Sequence, residues 1–252
     1  MQWKPYGGET VVGDVRVLRG ELDRDLYAYL PPSYDQTSRR FPVLYMHDGL
    51  NLFDEPLSFN GEWRVDETME ALAGDGIEAI VVGVPHVGDR LVEYVPAAGG
   101  ATYIDLLAES VKPLVDSSLR TDPGREATGL AGSSLGGTIS LYGFLARNDV
   151  FSFAGVMSPA LWFDESLFGL AEETPRRRGR IWLDVGGRED LNDPATNQRY
   201  VDDFERMASI LRGKGYDDTQ LRTLLVPEAI HHETAWGVRL PDALRFLLPV
   251  AG

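Results

Sequence analysis

From residue 41 onward, short runs that are apolar at nearly every position alternate with segments that are apolar at every third or fourth position. The runs are residues 42–46, 77–84, 127–131, 153–157, 180–185 and 221–226. A strand apolar on both faces must be covered on both faces. The cover is supplied by residues 65–72, 103–119, 134–146, 200–211 and 241–247, which carry helical spacing. Repeated strand–helix alternation implies an α/β chain with a mostly parallel central sheet, right-handed crossovers and helices on both faces. Ahead of it, residues 11–18 and 26–30 read as two short strands split by a polar stretch, an antiparallel N-terminal edge. No repeat, low-complexity tract or linker interrupts the pattern, so residues 1–252 read as one domain, a routine size for this class. Two long segments, 85–102 and 158–179, read as irregular loops, and long loops in compact folds often carry function. The second contains Arg176-Arg177-Arg178, which reads as a solvated turn ahead of a strand.

Composition removes several classes of function. Asp and Glu total 39 against 24 Lys and Arg, a formal charge of −15. Such a surface repels phosphate backbones, so no nucleic-acid partner is expected and polyanionic substrates are disfavoured. The absence of cysteine excludes disulfides, thiolate catalysis and Cys-ligated zinc. The first residues, Met1-Gln2-Trp3-Lys4-Pro5-Tyr6, are not a signal sequence, and no apolar stretch approaches the ~18 residues of a spanning helix. A cytoplasmic protein with no membrane partner is the default expectation; a secreted chain shorn of its signal would read the same way.

The chemistry-bearing motif is Gly132-Ser133-Ser134-Leu135-Gly136, a G-x-S-x-G centred on Ser134. It follows an apolar strand and opens a helical pattern, the context in which this motif places a serine nucleophile on a sharp strand-to-helix turn of an α/β-hydrolase fold. Side chains two residues either side of the serine would collide across the turn, so glycine is needed at both. The helix that follows directs its positive end at the serine, which favours a developing oxyanion. The spacing matches neither a dinucleotide fingerprint nor a Lys-bearing phosphate loop.

In this fold the partners follow in the order serine, acid, histidine. Of four histidines, His231 and His232 lie just after the last apolar run, in a segment read as the loop 227–233. The acid is expected after residues 180–185, where Glu189 and Asp190 both stand. A carboxylate there would orient the imidazole through its Nδ1–H. The pair His231-His232 beside Glu233 matches no H-E-x-x-H helix, so no metal is expected.

Longer stretches resemble a known family. Tyr45-Met46-His47-Asp48-Gly49-Leu50-Asn51-Leu52-Phe53-Asp54 is similar to the H-D-G-x-N-L-F-D segment of the "putative esterase" family of α/β-hydrolases. That family includes enterochelin-esterase-like proteins, feruloyl esterases, S-formylglutathione hydrolases and mycolyltransferases. Gly61-Glu62-Trp63 with Asp66, Arg90 with Glu93-Tyr94, the Ser134 turn, Val156-Met157-Ser158-Pro159 with Trp162, and His231-His232-Glu233 with Trp236 extend the likeness over residues 41–248. Members often read His-Asn-Glu at the last of these, with the first His catalytic, which maps onto His231; the middle residue here is His232. The family acid, in a Gly-x-x-acidic turn counted from Gly186, maps onto Glu189, with Asp190 one step off. The resemblance places one oxyanion N–H at Leu50; the residue after the nucleophile, Leu135, supplies the other. His47 reads as a structural hydrogen-bonding residue, since the fold needs only one base.

The expected chemistry is cofactor-free acyl transfer from a small-molecule ester through a Ser134 acyl-enzyme to water. Trp162, Phe163, Trp63 and Arg90 are the candidate substrate contacts. Two alternatives stand beside a serine carboxyl-ester hydrolase: an acyltransferase using the same residues, and a non-catalytic binding protein on a hydrolase scaffold. Siderophore esters, sugar acetates, feruloyl esters and small thioesters are all compatible with the motifs, and the acidic surface weakly disfavours a catecholate siderophore.

Overall fold

The computed structural model describes residues 2–249. Nine strands form one sheet in the order β1-β2-β3-β5-β4-β6-β7-β8-β9. The first three, β1 (Lys4–Pro5), β2 (Asp14–Leu18) and β3 (Leu26–Leu30), are antiparallel, and β3 joins β5 antiparallel. The rest are mutually parallel: β4 (Val43–His47), β5 (Ile80–Val84), β6 (Thr128–Ser133), β7 (Phe153–Met157), β8 (Arg180–Arg188) and β9 (Leu221–Ile230).

Strand alternation divides the core into two layers. On β4, Val43 and Tyr45 join one buried cluster while Leu44 and Met46 join the other. The first cluster lies beneath α3 (Ala101–Leu106), α4 (Lys112–Ser118), α5 (Leu135–Ala146), α6 (Ser166–Glu173) and α7 (Pro194–Gly213). The second lies beneath α1 (Val65–Ala73) and α8 (Glu233–Leu247), which pack against each other. Every residue of β4, β5, β6 and β7 is buried, as two-sided cover requires. β9 closes the sheet as an edge, and only Leu221 of its ten residues is buried.

Several expected boundaries shift, each for a local reason. The segment 85–102, read as irregular, contains α2 (Arg90–Tyr94), whose first turn Asp89 caps by accepting from Leu91 N–H at 2.9 Å. The segment 158–179 contains α6. α7 begins at Pro194, where Asp193 accepts from Ala195 N–H. That Asp–Pro start is a regular helix signal, but it precedes the apolar positions that define the face. α8 begins at Glu233, eight residues before the expected start, and carries Pro241 in its interior. The supposed loop 227–233 is mostly strand, since β9 runs to Ile230. β8 likewise continues through Gly186 and Gly187 to Arg188, with a register shift against β9 between Gly186 and Arg188. Arg176–Arg178 precede β8 at the N-terminal edge of the parallel strands, where Arg176 and Arg177 bond the carbonyls of Gly215 and Leu145. Among the described residues, no helix is long and apolar enough to cross a membrane.

Candidate active site

Parallel strands collect their following residues at one edge, the usual place for a ligand site in α/β sheets. Here β4 delivers His47 and Asp48, β6 delivers Ser134, β7 delivers Ser158, β8 delivers Glu189 and β9 delivers His231. A cavity of about 110 Å³ opens among them, lined in part by His47, Asp48, Trp63, Arg90, Ser134 and His231.

Ser134 has φ 55° and ψ −125°, a conformation that L-residues rarely adopt. Its N–H donates to Met157 O at 3.0 Å, and its carbonyl accepts from Ala160 and Thr138 N–H. The turn closes this tightly because Gly132 and Gly136 face each other: a Cβ on Gly132 would lie 2.9 Å from the Gly136 carbonyl carbon. Ser134 immediately precedes α5, so the free N–H groups of its first turn point toward the serine.

His231 Nδ1 lies 2.6 Å from Glu189 Oε2, and its Nε2 lies 3.4 Å from the Tyr200 hydroxyl. Glu189 is 5% exposed. Burial alone would raise its pKa, but the bonds to His231, to Ser158 Oγ at 2.5 Å and to Gly186 N–H outweigh that and hold it below the usual range. Ser158, itself at φ 41°, accepts from Trp236 Nε1 and Arg239 Nη2, both at 3.0 Å. Arg239 in turn donates to the fully buried Asp184 at 2.9 Å, which also accepts from Trp182 Nε1 at 2.7 Å. The carboxylate facing His231 is therefore the end of a buried hydrogen-bonded chain that locks its orientation. Asp190 turns away and accepts from Asn192 and Asp193 N–H, closing the loop before α7. His232 Nδ1 caps α8 by accepting from Thr234 N–H at 3.2 Å.

The expected substrate contacts separate into two groups. Trp63 and Arg90 line the cavity. The Arg90 guanidinium is already engaged by Asp48, with Nε–Oδ1 2.8 Å and Nη2–Oδ2 2.7 Å, and it stacks over Tyr94. Trp162 and Phe163 lie outside the cavity: Trp162 meets Tyr200 edge-on at 4.2 Å, and Phe163 is 48% exposed. Leu135 and Leu50 each adjoin a lining residue, Ser134 and Asn51, without lining the cavity through their own side chains.

The sequence reading did not single out Tyr200 or Asn60, and it quoted Asp48, Asn51 and Glu233 only as members of motifs, without a role. Tyr200 sits on α7, 31 positions from His231 in sequence, and no local pattern distinguishes it from a core aromatic. Asn51 and Asn60 donate to opposite oxygens of buried Glu233, at 3.2 and 2.9 Å, tying the loop after β4 to the start of α8. Asp48 and Asn51 were visible as part of a motif, but the motif does not say which side chains face inward.

Known proteins agree with this architecture. The model of the family described as "Putative esterase" matches residues 20–247. The uncharacterized protein YbbA of Bacillus subtilis (strain 168) is 24% identical over 239 residues, 89% of this chain and 92% of that protein. An IroE-like serine hydrolase from Shewanella oneidensis superimposes with a TM-score of 0.72 at 19% identity, covering 92% of this chain and 78% of that one. The enterobactin esterase of Shigella flexneri gives a TM-score of 0.71 at 18% identity, covering 95% of this chain and 60% of that one. These structures share the α/β-hydrolase fold. With nine-tenths of its length matched by the family model, the chain belongs to the Putative esterase family and is a carboxylic ester hydrolase.

Proposed function

We propose that the ester is cleaved through a Ser134 acyl-enzyme, with His231 as base and Glu189 as the acid that orients it. The observation that carries this reading is the 2.6 Å contact of His231 Nδ1 with a buried, fully hydrogen-bonded Glu189, at the rim of the cavity that holds Ser134 on its strained turn. An ionised carboxylate only accepts, so the proton of neutral His231 resides on Nδ1 and the Nε2 lone pair faces outward. That nitrogen takes the Ser134 proton as Oγ attacks the ester carbonyl. The Leu135 and Leu50 N–H groups hold the resulting oxyanion, each worth ~10²–10³ in rate. His231 then returns the proton to the departing alcohol. A water activated by the same nitrogen hydrolyses the acyl-enzyme, and the acid product leaves. No cofactor enters these steps.

The test compares native protein and Ser134→Ala on p-nitrophenyl acetate and butyrate, with fluorophosphonate labelling alongside. Loss of about 10⁴-fold or more in kcat/KM, together with loss of the label, is expected. Equal hydrolysis by both proteins would overturn the serine mechanism.

A further inference from the structure

Three carboxylates converge at the start of α1, next to Trp63 in sequence: Glu62, Asp66 and Glu67. One oxygen of each is anchored. Glu62 Oε2 accepts from Thr10 Oγ1 at 3.1 Å, Asp66 Oδ2 from Val12 N–H at 2.6 Å, and Glu67 Oε1 from Arg64 Nε at 2.8 Å. The other oxygens, Glu62 Oε1, Asp66 Oδ1 and Glu67 Oε2, are buried and have no hydrogen-bond donor among the described residues. Asp66 is fully buried and Glu62 is 6% exposed. One ligand oxygen from each of the three carboxylates lies within 4.8 Å of the others.

An orphaned buried carboxylate oxygen is costly, and three aimed at one point compound the cost by mutual repulsion. Among the described residues, Arg64 is the one cation bonded to the group, and it lies at the surface on the far oxygen of Glu67. We propose that Glu62, Asp66 and Glu67 form a binding site for a hard divalent cation, Ca²⁺ by preference. Oxygen-only ligands suit hard cations, and a buried set of protein carboxylates suits Ca²⁺, which gives up its water more readily than Mg²⁺ and tolerates irregular geometry. A groove of about 580 Å³, lined by Glu62, Trp63 and Glu67 among others, leads to the cluster from solvent. A bound cation would staple residues 10–12 to the start of α1 and brace Trp63, which forms one wall of the catalytic cavity. The competing occupant is a proton shared between carboxylates: burial first, then the hydrogen bond with Glu67 and its charge, push Asp66 up to about 8 even though Val12 N–H favours its charged form.

Melting of chelator-treated protein at pH 8 with Ca²⁺, Mg²⁺ or no metal decides between them, with Tb³⁺ emission sensitised through Trp63 as a second readout. The expected result is a saturable rise in Tm of several degrees with Ca²⁺, larger than with Mg²⁺, and Tb³⁺ emission that Ca²⁺ displaces. Both signals are lost in Asp66→Asn and in the milder Glu67→Gln, and both are kept in the surface control Glu228→Gln, whose side chain is 83% exposed. No cation-dependent shift in the native protein, or an undiminished one in Glu67→Gln, would overturn the site and leave the shared proton.

Discussion

Two histidines line one cavity and meet opposite surroundings. His231 has a buried carboxylate 2.6 Å from Nδ1 and a tyrosine hydroxyl near Nε2. His47 is 2% exposed, bonds Tyr103 OH through Nδ1 at 2.9 Å, and its Nε2 finds no partner among the described residues. Burial, reinforced by the nearby Arg90 charge, lowers the His47 pKa to about 3. One imidazole can take up a proton with a counter-charge in place; the other must stay neutral. Residue type and cavity are the same, so in the proposed mechanism what separates the base from a packing residue is the partner on the far nitrogen. By this comparison His231→Ala should cost about 10⁴-fold or more in kcat/KM. His47→Asn, which keeps a polar partner for Tyr103, should change kcat by less than about tenfold while lowering Tm through the cavity it leaves. Comparable kinetic losses in both variants would break the distinction.

The next largest effect isolates the carboxylate. Glu189→Gln preserves shape and can still bond Ser158, but it removes the charge that fixes the His231 tautomer. A fall of about 10²–10⁴ in kcat is expected, with KM little changed, because the contact matters most when His231 is protonated. Asp190→Asn, one residue away, should leave kcat within about twofold and act only through the loop that Asp190 closes.

The pH dependence of stability sharpens the contrast further. The folded-state pKa of His47 lies below its unfolded value of about 6.5, so the unfolded chain binds more protons between pH 3 and 6.5. Stability contributed by neutral His47 is present above that window and lost as pH falls through it. Glu189, also lowered, acts in the same direction at lower pH. Urea midpoints between pH 7 and pH 4 should therefore fall less steeply for His47→Asn than for the native chain. An unchanged slope would mean that His47 is not held neutral by the fold.

Much of this site was legible because it is local. The glycines at 132 and 136 are demanded by the turn itself, so Ser134 can be read without knowing the fold. The parallel sheet followed from two-sided apolar runs, and β7 matches its expected bounds at Phe153–Met157. Glu189 and Asp190 could not be separated, because adjacent loop residues are distinguished only by the bulge at the end of β8 that turns one inward. His231 and His232 were likewise ambiguous until β9 ended at Ile230 and His232 became the cap of α8. Burial of Glu62, Asp66 and Glu67 was not readable either, since charged residues around a helix start usually lie in solvent. The anchors of Glu62 and Asp66, Thr10 and Val12, come from a distant N-terminal segment.

Tyr200 tests the least local contact of all. Its hydroxyl stands 3.4 Å from His231 Nε2, and its ring, 4.9 Å from the imidazole, is backed edge-on by Trp162. Burial, then the Glu189 charge, raise its pKa above the ordinary tyrosine range, so the hydroxyl stays neutral and carries its proton throughout the working range. A neutral O–H at that distance is a weak donor competing for the nitrogen that accepts the Ser134 proton in the proposed mechanism. Tyr200→Phe keeps the ring packing and removes the competition. The expected change is small, less than about tenfold in kcat on p-nitrophenyl acetate. A loss near that of Glu189→Gln would instead place Tyr200 in the chemistry and require the hydroxyl to hold the ester or its oxyanion. An unchanged rate would confine Tyr200 to supporting the imidazole ring through packing.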